Sequence, residues 1–179
     1  MKRFGFTCGL MACATIVVVL AWSFWRAPVL TLDVSKTRNI SAVHWPRTDV
    51  AGPWFDITTN GRVVALFPGG KVFDRSDVSQ VSIARVGNEV EYVRFSLDDT
   101  DLADTCRIAK GLAVAWGLDT ARLDQWCGEV SVPQGPNPLV TLPIATPGAT
   151  IEVVDSYDPS RPYGIEFEVW LLQPHPYGK

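Results

Sequence analysis

Residues 101–127 read DLADTCRIAKGLAVAWGLDTARLDQWC, and residues 164–172 read GIEFEVWLL. These two stretches decide the fold class because they follow different periods. In the first, Leu102, Cys106, Ala109, Ala113 and Trp116 recur at spacings of four and three, which marks one face of a helix. In the second, Ile165, Phe167, Val169 and Leu171 alternate with Glu166, Glu168 and Trp170. That pattern predicts a strand with its apolar set facing in and Glu166, Glu168 and Trp170 facing out. Strands before and after a helical block make the chain α+β.

The helical block has readable ends. Asp98, Asp99, Asp101 and Asp104 crowd its start, and Asp101 with Asp104 resembles a capping box built from aspartates. Carboxylates there meet unpaired backbone N–H groups and the positive end of the helix dipole. The cluster lacks the glycine and distal glutamate of an EF-hand loop, so capping explains it without a metal. Gly117 stops the helix as a left-handed cap, and Asp119 or Thr120 caps a second helix running to about Cys127. If the two helices fold back on each other, Cys106 sits ~15 Å and Cys127 ~12 Å below the turn. The two sulfurs then lie at nearly the same height, and a disulfide is expected.

Outward from this block, Arg62 to Phe67 reads as a strand, Pro68-Gly69-Gly70-Lys71 as a turn and Val72-Phe73 as the return. Val78 to Arg85 and Glu89 to Leu97 flank Gly87-Asn88, a tight hairpin turn. Ile151 to Asp155 precedes the final strand. The expectation is a single antiparallel sheet of 4–5 strands packed against a helical hairpin, one domain over residues 62–179. Residues 27–61 read as a juxtamembrane connector broken by Pro28, Pro46 and Pro53. Trp45, Trp54 and Phe55 are too apolar for a free linker and are expected to pack back. Residues 130–149 hold Pro133, Pro136, Pro138, Pro143 and Pro147, a density that regular helices and central strands do not tolerate. They read as a segment wrapping a sheet edge.

At the amino end, Lys2 and Arg3 precede Phe4 to Trp25, a run without charge that Arg26 closes. As a helix it measures about 33 Å, against a hydrocarbon layer of roughly 30 Å. Residues 1–26 are therefore expected to form an uncleaved transmembrane anchor, with Trp22 and Trp25 in the headgroup layer. A cleaved signal peptide ending near Ala21 and a lipoprotein signal ending at Cys13 are the competing readings. The first has an apolar run that is too long, and the second has most of its apolar run after the cysteine. The cations around the anchor are nearly balanced. The signal-like start and the cysteine pair favour a cytoplasmic N-terminus and an extracytoplasmic domain, periplasmic or extracellular.

The chain carries 16 Lys and Arg against 19 Asp and Glu. Lys2, Arg3 and Arg26 belong to the anchor, so the folded part is the more acidic. That argues against nucleic acid or anionic headgroups as partners. Cys8 and Cys13 read as small apolar side chains in lipid, and no cysteine–histidine spacing suggests zinc. Asn39-Ile40-Ser41 matches a glycosylation acceptor, a tripeptide common by chance. No phosphate-binding, nucleophile-elbow or zinc-protease motif occurs, and no cofactor is implied.

Tyr157, Asp158, Arg161 and Tyr163 share one turn, followed by Trp170 and His175. Tyr, Trp and Arg anchor protein interfaces, so these six residues form the expected binding surface of a membrane-anchored interaction module, an accessory subunit of an envelope complex with a protein partner. Two alternatives stand beside it. One is an envelope hydrolase using His44 or His175 with a carboxylate. The other is an acidic inhibitor or immunity-type protein that blocks a cationic partner.

The bridge is the sharpest expectation. Cys106 and Cys127 should bring their Cα atoms within about 4.4–6.8 Å. Cys106→Ser should cost roughly 2–4 kcal/mol in urea unfolding. The same change at Cys8 should leave the domain's stability unaltered.

Overall fold

The computed structural model describes residues 29–40, 52–129, 148–155, 160–161 and 163–172. The expected anchor and the proline-rich stretch 130–147 lie outside them. Among the described residues no helix is long and apolar enough to cross a membrane.

The largest element is a five-stranded antiparallel sheet. It contains β2 (Trp54–Thr58), β5 (Val78–Val86), β6 (Glu89–Thr100), β7 (Gly148–Asp155) and β8 (Tyr163–Trp170), in the order β2-β5-β6-β8-β7. Gly87, at φ 59°, supplies the positive φ that the tight β5–β6 turn requires. Strand alternation sends Val81, Ile83, Val93, Phe95, Ile165, Phe167 and Ile151 to one face, where all are buried.

A second, three-stranded sheet packs against that apolar face. It consists of β1 (Val29–Asp33), β3 (Arg62–Phe67) and β4 (Lys71–Arg75), ordered β1-β3-β4 with β1 parallel to β3. This corrects the expectation of a single sheet. Alternation in β3 and β4 shows which side chains are buried, namely Val63, Ala65, Phe67 and Phe73. It carries no information on which strand lies alongside. Those side chains meet the main sheet face to face. Phe73 stacks on Phe95 at 3.9 Å between ring centroids and lies nearly parallel to Phe167 at 5.6 Å. Strands β1 and β2 come from residues 29–33 and 54–58, so the stretch read as a connector contributes one strand to each sheet. Phe55 packs against the core, as expected of so apolar a residue.

Two helices complete the core on the same side. Helix α1 (Leu102–Trp116) starts where the Asp101 carboxylate accepts the Asp104 amide and ends on Gly117 at φ 71°. Its buried stripe is Thr105, Ile108, Ala109, Leu112, Ala113 and Trp116. The Trp116 ring meets Phe67 at 5.4 Å and Phe167 at 5.0 Å, both edge-on. Helix α2 (Ala121–Glu129) begins after Asp119, whose carboxylate accepts the Ala121 amide. It buries Leu123 and Trp126. A disulfide joins Cys106 to Cys127 with their Cα atoms 6.0 Å apart. Lys110 pairs with Asp124 at 2.6 Å across the same two helices.

Phe73 therefore fills the space between the two sheets. Phe73→Ala should cost about 3–5 kcal/mol in urea unfolding. Val72→Ala, one residue along the same strand and 51% exposed, should cost less than about 0.5 kcal/mol.

Candidate functional site

The opposite face of the five-stranded sheet has a different chemistry. Strand pairing aligns its side chains in three rows. The first is Trp54, Ala84, Tyr92, Trp170 and Gly148, the second Asp56, Ser82, Arg94, Glu168 and Thr150, and the third Thr58, Gln80, Ser96, Glu166 and Glu152. The helices and the second sheet contact Phe95, Tyr163 and Phe167 on the other side, so none of these elements lies over the rows.

Arg94 is the centre of this face. Its Nε donates to the Glu168 carboxylate at 2.5 Å, and a terminal nitrogen lies 3.1 Å from Glu166. Glu168 also accepts from the Trp170 indole at 3.1 Å. A glutamate only 2% exposed is tolerable because a guanidinium and an indole both serve it. The guanidinium lies over Trp54 at 5.4 Å and over Tyr92 at 6.0 Å, within the range of a cation–π contact. Tyr92 in turn contacts Trp54 at 5.3 Å and Trp170 at 4.4 Å. Trp54 stays 39% exposed and donates its indole N–H to Asp56 at 3.0 Å.

Among the described residues the charges do not balance, since Glu166 and Glu168 both pair with Arg94 and Glu152 stands beside them. Glu152 and Glu166 stand directly opposite on neighbouring strands, an arrangement of like charges that disfavours ionisation. Burial pushes the Glu152 carboxyl above its ordinary value, and Glu168 and Glu166 add to the effect. Burial also raises Glu166, with Arg94 opposing it. The Tyr92 hydroxyl is pushed up to about 12, chiefly by burial. The face thus offers two carboxyls that hold protons unusually well, one fixed guanidinium and an exposed indole. Among the described residues no group of three or more His, Cys, Asp or Glu side chains could hold a metal ion.

The structure separates the residues expected to form a binding surface. Tyr157, Asp158 and His175 lie outside the described residues, as does His44. Arg161 is exposed just before β8. Tyr163 and Trp170 sit on opposite faces of β8. Tyr163 is 2% exposed on the apolar face, edge-on to Trp126 at 5.6 Å. Trp170 belongs to the polar face as its alternation implies, yet it is only 9% exposed, with the Tyr92 ring 4.4 Å away. Glu168, expected to face out, is likewise buried against Arg94. Trp54, Tyr92, Arg94 and Glu152 come from four separate stretches of chain. Their only advance signal was the polar phase of each strand, as in Tyr92, Arg94 and Ser96. No family model matches this chain, and neither does any curated protein or solved structure.

The carboxyl pair sets a pH dependence. Glu152 and Glu166 bind protons more tightly folded than unfolded, so their penalty is absent below the ordinary value of 4.5. Stability is lost as pH rises from there through the folded values. Glu152→Gln should therefore match the parent's thermal midpoint near pH 4 and exceed it near pH 7. A variant less stable at pH 7 would show that the charged carboxylate is held by a partner instead.

Proposed function

We propose that the chain is a membrane-tethered interaction module, an extracytoplasmic α+β domain that docks a protein partner through the polar face of its five-stranded sheet. The observation that carries this reading is the cluster of Trp54, Tyr92, Trp170 and Arg94 on a face left open by the helices and the second sheet. Tryptophan, tyrosine and arginine supply most of the energy at protein interfaces, where large rigid side chains lose little entropy on binding. The neighbouring carboxyls add an acid excess that complements a cationic patch on the partner.

Two further observations support the setting. The Cys106–Cys127 bridge fits an oxidising compartment. The uncharged run from Phe4 to Trp25 fits an anchor. A tether of this kind keeps the domain at the membrane surface and raises its effective concentration for neighbours there. An accessory subunit of an envelope complex is the role these features suit.

Crosslinking in native membranes, followed by purification in gentle detergent, tests the reading. The parent chain should recover a discrete partner. Trp54→Ala should weaken that association by about thirtyfold or more, as loss of an interface anchor does. Recovery of the monomer alone across growth conditions, or equal recovery with Trp54→Ala, would overturn it.

A further inference from the structure

A separate cleft, none of whose described lining residues belongs to the three rows, lies beside the segment that passes between the two sheets. After β1 the chain bends because the Asp33 carboxylate accepts both the Ser35 amide, at 3.0 Å, and its hydroxyl, at 2.6 Å. Residues 34–40 then cross from one sheet to the other. The Val34 amide bonds Leu66 in the smaller sheet, and Val90 at the start of β6 bonds the Arg38 carbonyl. This crossing strap arches over a cleft of about 400 Å³.

The cleft has a polar wall and an apolar floor. Ser35, Lys36, Thr37 and Arg38 line the strap side, while Val34 and Leu171 form the floor. The remaining wall is the β3–β4 turn at Pro68-Gly69, where Gly69 adopts φ 74°. Among the described residues that line it there is no carboxylate. Asp33 is engaged by Ser35, and Glu89 lies 3.7 Å from Arg38, where an incoming anion would take its place. Arg38 is held in place by a bond to the Leu171 carbonyl at 2.8 Å. With one terminal nitrogen on Leu171 and the other 3.7 Å from Glu89, the guanidinium is held in place, and its remaining N–H groups can meet an oxyanion that competes with Glu89.

We propose that this cleft binds a small amphiphilic anion, with its carboxylate or phosphate between Lys36 and Arg38 and its apolar portion against Val34 and Leu171. Two cations and an apolar floor lining one cleft of this volume are the ordinary makings of a small-molecule site. The oxyanion chemistry is common to carboxylates and phosphates, and the length of the apolar portion is limited by the cleft.

Amide NMR shifts of the isotope-labelled full chain in a neutral detergent test the proposal. The probes are sodium hexanoate, inorganic phosphate and, as a cationic control of matched chain length, hexyltrimethylammonium. Hexanoate should give saturable, millimolar shifts confined to residues 34–38, Gly69 and Leu171. Lys36→Gln should weaken it by about fivefold, and Arg38→Lys, which keeps the charge and loses the fork, should weaken it less than Arg38→Gln. Tighter binding of hexanoate than phosphate supports the amphiphile; tighter binding of phosphate supports the oxyanion site and assigns it to phosphate esters. Equal shifts with the cationic control, no saturable shift with either anion, or binding indifferent to Lys36→Gln would overturn the proposal.

Discussion

The flat contact of Phe73 on Phe95, continued by Phe167, is the interaction on which the rest of the structure depends. It joins two sheets that share no backbone ladder, at a ring separation of 3.9 Å. Because the smaller sheet lies on this face, the main sheet spends its apolar side on internal packing. Trp116 extends the same aromatic layer into α1 through Phe67 and Phe167. The disulfide then fastens α2 to α1 behind that layer. Each device acts on the same side of the main sheet, and none of them lies over the polar face.

That polar face is organised around a shortage of positive charge. Arg94 satisfies the buried Glu168 first and reaches Glu166 second. Burial raises the Glu152 carboxyl, and Glu168 and Glu166 add to it while Arg94 opposes them. A sheet face that holds unneutralised carboxyls beside an exposed indole is costly to maintain in isolation. A partner bearing cationic and apolar groups would relieve both costs, which is the physical basis of the proposed docking surface.

Much of this architecture was legible in the sequence, and the gaps have physical causes. Helix α1 was readable because its apolar period, aspartate cap and terminal glycine agree with one another. The cysteine bridge followed from helix geometry alone, and the 6.0 Å Cα separation matches it. The hairpin at Gly87-Asn88 was marked by its turn residues. Sheet membership was hidden, because a buried alternation in Arg62–Phe67 reads the same whether its neighbour is β1 or β5. Strands β1 and β2 were hidden by short length and nearby prolines. Burial of Glu168 and Trp170 was hidden for another reason. Each meets a residue far back in the chain, Glu168 with Arg94 at a separation of 74 and Trp170 with Tyr92.

A double-mutant cycle on Phe73 and Phe95 measures the aromatic contact between the sheets most directly. Urea unfolding of Phe73→Leu, Phe95→Leu and the double variant isolates the energy that the two rings share. Coupling of about 0.5–1.5 kcal/mol is expected for rings stacked in one core. Effects that add to within about 0.3 kcal/mol would contradict it, since independent rings could not be what holds the two sheets together.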